Sequence, residues 1–172
     1  MVAALPVVAL GIAMLGGCSA APATTAAKGV EMIGWEQAEA EVRTIFEATK
    51  ELMGGTWEED TRSWGACDTR DIAGGVAHSF LAIRSPEPLP GDPEIIAEKL
   101  REIWHAHGRT VEKITYDESM DPPRHIVSDP PWLAGRSPDG SLYQSTIGTD
   151  YASFQAKSRC ANGRLDEYGQ GE

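Results

Sequence analysis

The strongest constraint on the fold is an apolar stripe between residues 35 and 53. Its members recur at steps of three and four: Trp35, Ala38, Val42, Ile45, Phe46, Thr49, Leu52 and Met53. This spacing is typical of an amphipathic helix, and Gly54-Gly55 is a typical end for one. Because such a helix must bury its stripe against another element, the rest of the chain has to supply a covering surface.

A second helix is predicted between Asp92 and Gly108. Asp92 is a suitable N-cap, Pro93 suits the first helical position, and Gly108 follows the last turn. The face shared by its apolar positions consists of Ile96, Leu100, Ile103, Trp104 and His107. This helix therefore also has one side to bury.

Strands are predicted for most of the remaining chain. The candidate segments are 75–84, 109–117, 124–128, 132–136, 141–147 and 151–159. Ser137-Pro138-Asp139-Gly140 has the Pro and Gly positions of a type I turn, and connections this short imply antiparallel neighbours. For residues 56–67 the sequence allows either a loop or an irregular strand.

The predicted fold is α+β. We expect a two-layer sandwich in which an antiparallel sheet of about four to five strands is covered on one face by two helices. Residues 31–160 are expected to form a single domain, and residues 161–172 a polar C-terminal tail.

The first residues indicate export. Residues 2–15 are uncharged and almost wholly apolar, but the run is shorter than the ~18 residues that span a bilayer. It suits the apolar region of a secretory signal. Leu15-Gly16-Gly17-Cys18 resembles a bacterial lipobox, although a buried helix with Cys18 as a small apolar residue is the alternative.

The lipobox resemblance implies a location. In that family the chain is cut before the cysteine, whose sulfur carries a diacylglycerol, so residues 1–17 would be a signal peptide and Cys18 the lipidated residue. Residues 18–30 would be the lipidated cysteine and a flexible tether, since they are small, polar and without aromatics. The protein would be secreted and held on the bacterial cell envelope, at the outer face of the cytoplasmic membrane or on an outer membrane.

Charge narrows the range of partners. The chain has 15 basic and 26 acidic residues, a net charge of −11. This balance argues against nucleic acid, because phosphates favour a basic surface. Solubility is the ordinary reason for an acidic surface, and a cation-binding surface is the alternative.

Two cysteines remain if Cys18 is lipidated. Exported proteins fold in an oxidising place, where an even pair usually forms a bridge, so we expect a Cys67–Cys160 disulfide. A redox or nucleophilic thiol is the alternative. It would need a nearby partner such as Cys-x-x-Cys, which the sequence lacks.

Candidate ligand-binding residues are few. Trp57, Trp64 and Trp132 fall in loop-like or strand-end segments, where a large ring either covers the core or faces a ligand. The spacing of the histidines and acidic residues does not by itself predict a metal site or a carboxylate pair. These residues are His78, His105, His107, His125, the run Glu58-Glu59-Asp60, and Asp68, Asp71, Asp117 and Asp121. No cofactor and no catalytic residue is assigned, because no catalytic motif is present.

The layout loosely resembles small lipoproteins of actinobacteria, including the LppA-like group. The resemblance rests on the Ala/Thr-rich tether, the helix led by Trp35, the segment Gly55-Thr56-Trp57 and the cysteine pair. It implies an envelope location and no activity. We expect a non-catalytic binding module for an envelope protein, lipid or polymer; the alternatives are an envelope hydrolase with a carboxylate or His site, and a structural or host-facing surface lipoprotein.

Overall fold

The structure, a computed structural model, describes residues 31–67, 69, 72 and 74–165. Within these ranges the elements are α1 Trp35–Met53, β1 Trp57–Ala66, β2 Val76–Arg84, α2 Pro93–Ala106, β3 Ile114–Asp117, β4 Arg124–Asp129, β5 Leu142–Ile147 and β6 Ala152–Lys157. Cys18, the expected signal peptide and the tether lie outside the described residues, as do Asp68 and Asp71.

Helix α1 forms where the apolar stripe predicts it. Its buried side chains are Ala38, Val42, Ile45, Phe46, Thr49 and Met53. Trp35 is 38% exposed, so the buried stripe begins one turn later than predicted. Gly54 ends the helix at φ 57°, and its N–H donates to the Lys50 carbonyl over 2.8 Å. A residue without a Cβ adopts this left-handed backbone most easily.

Helix α2 also begins and ends as predicted. The Asp92 carboxylate accepts a hydrogen bond from the Glu94 N–H (2.9 Å), and Pro93 is the first helical residue. Trp104, buried on this helix, donates its indole N–H to the Thr49 hydroxyl of α1 over 3.0 Å. The two helices are therefore joined by a hydrogen bond within the core.

The sheet is antiparallel throughout, with the strand order β1-β2-β6-β5-β4-β3. After β2 the chain crosses through α2 to the far edge of the sheet at β3. It then returns strand by strand until β6, the last strand, pairs with β2. The β1–β2 hairpin and the β3–β6 meander are thus joined along the β2–β6 ladder.

One face of the sheet carries the main core. Its residues share a single apolar cluster with the buried side chains of both helices; the sheet members are Phe80, Ala82, Ile114, Val127, Tyr143, Ile147, Ala152, Phe154 and Ala156. The opposite face is more polar, and Ile83 there is 37% exposed. Neither described helix has the length and apolarity that a membrane crossing requires.

The α+β class and the antiparallel sheet are confirmed, but the predicted count of four to five strands is too low, because the sheet has six. Residues 57–66 form the edge strand β1, whose alternation is interrupted by a bulge between Glu59 and Thr61. The strand predicted at 132–136 is wrong: Leu133 (φ 67°) and Gly135 (φ 88°) have positive φ values, which a β-strand does not accommodate.

A disulfide joins Cys67 to Cys160, as the sequence predicts, across 93 residues. Cys67 follows β1 and Cys160 follows β6, so the bridge ties the hairpin to the end of the meander. Both cysteines are buried in a small second cluster with Ile72 and Ala77.

Candidate functional site

The tryptophans proposed as a binding surface do not form one patch. Trp57 and Trp64 lie at opposite ends of β1, roughly 20 Å apart at the rise of a strand. Trp57 packs edge-on against Phe46 (centroids 5.6 Å apart) and donates to the Gly54 carbonyl (3.0 Å). Trp64 lies 5.1 Å from the His78 ring. Trp132 is half-buried in the loop that follows β4.

The histidines are also separated. His78 is buried on β2, whereas His125 stacks on Tyr116 with ring centroids 4.8 Å apart. A ring nitrogen of His105 lies 3.2 Å from the Val111 carbonyl oxygen, and His107 caps α2. Within the described part of the chain, no three His, Cys, Asp or Glu side chains are grouped so that they could hold a metal ion.

The acidic candidates have local partners. Glu59 pairs with Arg43 (3.0 Å) and with Arg62, and so links β1 to α1. The Asp117 carboxylate accepts hydrogen bonds from the backbone N–H and the hydroxyl of Ser119, at 2.9 and 2.6 Å. Because of these contacts, we assign both carboxylates a role in stabilising the local structure.

A different group of residues lines a cleft between α1 and the end of α2, which we call the helix cleft. Its volume is about 300 Å³, and its walls are formed by Gln37, Ala40, Glu41, Thr44, Ile45, His107, Arg109 and Tyr143. Ala40 and Thr44 are small, exposed residues on α1, so they leave the cleft open on that side. Tyr143 forms its floor from the core face of β5.

Two of the residues that line the helix cleft each have a buried polar atom without a hydrogen-bond partner. These atoms are the hydroxyl oxygen of Tyr143 and Nε of Arg109, neither of which meets a partner among the described residues. The Arg109 guanidinium lies over the Tyr143 ring, with its carbon 4.8 Å from the ring centroid. Native proteins pair almost all buried polar groups, so two unpaired atoms on residues that line one cleft require a cause.

Burial also fixes the chemical state of Tyr143. The side chain has no exposed surface, and this burial raises the pKa of its hydroxyl to about 12, although the nearby Arg109 lowers it in part. The phenol therefore keeps its proton at neutral pH and is able to donate a hydrogen bond.

Glu41, the acidic residue that lines the cleft, is paired with an arginine. Arg159, just after β6, donates to both carboxylate oxygens of Glu41, with the Nε bond at 3.0 Å. This hydrogen-bonded contact raises the pKa of Arg159. Arg109, by contrast, forms no ion pair with any carboxylate in the described ranges. One positive charge in the helix cleft is thus unbalanced.

Two further depressions differ from the helix cleft. One, of about 510 Å³, lies at the opposite end of α2 beside Glu94, Glu98 and His125. The other, of about 290 Å³, lies on the outer sheet face near Leu81 and Lys157. Of the polar atoms that the structure describes, no buried and unpaired one belongs to a residue lining either depression.

Sequence reasoning did not assign Arg109 or Tyr143 to a binding site. A signal for Tyr143 exists, because alternation along residues 141–147 places it on the same face as Ser145 and Ile147, where a phenolic hydroxyl enters the core. Arg109 lies in the turn after α2 and gives no comparable signal. Only the packing of α1 against α2 brings it over Tyr143.

No protein-family model matches the chain, and no curated protein matches it. Among solved structures, the chain is similar to a crystal structure of a DUF4853 family protein from Actinomyces odontolyticus, at 17% identity and a TM-score of 0.46. That match covers 83% of this chain and 77% of the other.

Proposed function

We propose that the protein is an envelope lipoprotein whose folded domain binds a small ligand, or the end of a larger one, in the helix cleft. One observation carries this proposal: the Tyr143 hydroxyl and Arg109 Nε are buried without partners, and both residues line the same cleft. Each buried polar group without a partner costs about 1–3 kcal/mol. A ligand that pairs with both groups recovers that free energy and so gains affinity.

The proposed architecture suits such a role. We propose that the six-stranded sheet and the two helices form a two-layer sandwich, supported by the single apolar cluster that they share. The helix cleft then lies at the edge of the layer interface, on a rigid frame that holds Arg109 and Tyr143 in place. Rigid placement lowers the entropy cost of binding.

Glu41, the carboxylate that lines the cleft, is poorly placed to act in hydrolysis. A general acid or base must be available to the substrate, but both Glu41 oxygens accept hydrogen bonds from Arg159. A purely structural role leaves both the Tyr143 hydroxyl and Arg109 Nε without a partner among the described residues. The binding module is therefore the hypothesis that we carry forward.

The anchor is the second part of the proposal and rests on sequence. The lipobox-like Leu15-Gly16-Gly17-Cys18 supports a lipid on Cys18, and the small polar residues after it support a tether that presents the domain at a membrane surface. Two or more acyl chains on one residue bind a membrane stably, whereas a single chain gives marginal binding.

Mass spectrometry of the membrane fraction tests the anchor. We expect a mature chain that begins at Cys18 and carries the added mass of a diacylglycerol. A Cys18→Ala variant should accumulate with residues 1–17 attached and without lipid. An unmodified Cys18 in the native chain would contradict the lipid anchor but would not bear on the proposed binding role of the helix cleft.

Filling the helix cleft tests the binding role. We expect some members of a chemically mixed fragment library to raise the melting temperature of the full-length protein in detergent. Ala40→Trp places an indole in the cleft and should abolish those shifts. Glu51→Trp, at an exposed position of α1 outside the cleft, is the control and should preserve them. Shifts that survive in Ala40→Trp, or no stabilising fragment at all, would refute the cleft as the site.

A further inference from the structure

We propose that the helix cleft recognises a carboxylate, whose two oxygens accept hydrogen bonds from Arg109 Nε–H and from the Tyr143 hydroxyl. This inference rests on the proposed function, because it names the chemical class of the ligand that the cleft takes. The geometry that supports it is the pair of unpaired donors on two residues that line one cleft, with the Arg109 guanidinium carbon 4.8 Å from the Tyr143 ring centroid.

Hydrogen-bond polarity selects an acceptor. A guanidinium offers only donors, so the group that meets Arg109 Nε must be an acceptor. The Tyr143 phenol is protonated at neutral pH, since its pKa is raised to about 12, and it donates as well. Two donors on one cleft wall match the two oxygens of an oxyanion, and the guanidinium, which cannot accept, disfavours an ammonium or amide N–H group at Arg109.

Charge selects a single negative charge. Glu41 and Arg159 neutralise each other, so Arg109 is the cation of the cleft that lacks an ion-pair partner in the described ranges. At Tyr143, Arg109 and Arg159 add positive potential, whereas Glu41 and Asp139 add negative potential. A monoanionic carboxylate balances Arg109, whereas a phosphate monoester carries about −1.5 to −2 and would leave negative charge unbalanced. Charge-assisted bonds from an arginine to a carboxylate are also among the strongest hydrogen bonds in proteins.

Size and lining select a small ligand or a chain end. A volume of about 300 Å³ lies at the lower limit of small-molecule sites. Ala40, which is exposed, and Ile45 are the apolar residues on the α1 side of the cleft, and they suit a short alkyl group next to the carboxylate. Such a group is found on a free organic acid and on the C-terminal residue of a peptide.

Calorimetry on the full-length protein in detergent tests the inference. The probes are N-acetylalanine, its primary amide, the tripeptide acetyl-Ala-Ala-Ala as acid and as amide, and inorganic phosphate. We expect the acids to bind and each matched amide to bind at least about tenfold more weakly, since a hydrogen bond to a charged group contributes about 1.5–3 kcal/mol, and 1.4 kcal/mol is tenfold. A tripeptide acid that binds more tightly than N-acetylalanine would identify a chain terminus as the source; equal affinity would identify a free acid.

Variants assign the two donors. Tyr143→Phe removes one donor and Arg109→Gln removes the cation, and each should weaken N-acetylalanine at least about tenfold. Arg109→Lys keeps the charge and loses the Nε–H, so its binding should fall between Arg109→Gln and the wild type. Lys99→Gln removes the same charge from an exposed position of α2 and should change binding less than twofold.

The outcomes separate this inference from the proposed function. Equal binding of acids and amides, tighter binding of phosphate, or full affinity in Tyr143→Phe would overturn carboxylate recognition. If fragments of another class still stabilise the wild type and fail on Ala40→Trp, the cleft remains a binding site with a different ligand. If the acids bind Ala40→Trp as well as the wild type, the site itself is wrong.

Discussion

The buried polar residues of this domain differ in whether their polar atoms have hydrogen-bond partners. Thr49 is fully buried, but its hydroxyl donates to the Ile45 carbonyl (2.8 Å) and accepts from Trp104. Arg84, 3% exposed, donates to the carbonyls of Gly54 (3.0 Å) and Pro88 (3.2 Å). The Tyr143 hydroxyl, in the same core, and Nε of the half-buried Arg109 have no such partners among the described residues. His78 Nδ1 and an Arg124 nitrogen are also buried without a partner, but Tyr143 and Arg109 are a pair that lines one cleft.

His78 is expected to make stability depend on pH. It is 3% exposed beside Trp64, and burial lowers its pKa below 6.5. Because the unfolded chain then binds the proton more readily than the fold, stability should fall as pH drops from 7.5 to 5.5, by at most about 1.4 kcal/mol per pH unit. Urea unfolding at several pH values measures this slope.

Two variants isolate the His78 effect. His78→Phe removes the titrating ring from the contact with Trp64 and should flatten the slope between pH 7.5 and 5.5. Trp64→Phe changes the same contact but keeps the imidazole, so most of the slope should remain. Equal slopes in His78→Phe and the wild type would show that His78 is not responsible.

Gly140 is expected to tolerate no side chain. Its φ is 89°, and a Cβ there would lie 2.7 Å from the sulfur of Cys160 and 2.8 Å from that of Cys67. Gly135 has nearly the same φ, 88°, but open space around its Cβ position. Left-handed backbone strain of about 1–2 kcal/mol should affect both alanine variants. Gly140→Ala should lose about 1–3 kcal/mol more from overpacking, measured by urea unfolding; equal losses would show that the disulfide contact is unimportant.

At the scale of elements, a buried hydrogen bond contributes to the packing of α1 on α2, beside their shared apolar cluster. Thr49→Val keeps the shape of the side chain but leaves the Trp104 indole N–H unpaired in the core. We expect a loss of about 1–3 kcal/mol in the free energy of unfolding. Thr44→Val is the matched control, because Thr44 forms the same bond to a carbonyl four residues earlier, but at an exposed position. A Thr49→Val loss no larger than that of Thr44→Val would count against the buried bond.

The helices could be predicted from sequence and β1 could not, for physical reasons. Both helices have an apolar stripe and clear end signals, which local sequence alone determines. Trp57 and Trp64 are seven positions apart, so a regular strand would place them on opposite faces. The bulge between Glu59 and Thr61 shifts the alternation in β1, and the two residues pair with Arg84 and His78, which share one face of β2. A bulge depends on pairing with the neighbouring strand, which the local pattern does not contain.

For the whole molecule, the candidate site depends on contacts between distant parts of the chain. The helix cleft combines the first half of α1, the turn after α2 and the core face of β5, and Arg159 reaches it from beyond β6. Residue types could be read from the sequence, as could the cysteine pair. Convergence of Arg109 with Tyr143 results only after α1, α2 and the sheet have packed together.

The disulfide is the whole-molecule constraint that can be removed cleanly. Cys67–Cys160 closes a loop of 93 residues and joins the β1–β2 hairpin to the end of the meander. In the chain-entropy model a loop of this size contributes about 4–5 kcal/mol, and measured values are often smaller. The Cys67→Ala/Cys160→Ala double variant should therefore lose several kcal/mol in urea unfolding, and the wild type in reducing agent should lose a comparable amount.

Cooperativity distinguishes two consequences of that loss. If the β2–β6 ladder and the shared core hold the hairpin and the meander together, the double variant should still unfold in one transition at a lower urea concentration. A separate early transition of the β1–β2 hairpin would show instead that the disulfide is what joins it to the domain. Arg159 precedes Cys160 and holds Glu41 at the helix cleft. If the double variant shows the early transition, we therefore expect its affinity for carboxylates to fall. If it unfolds in one transition, we expect that affinity to be retained.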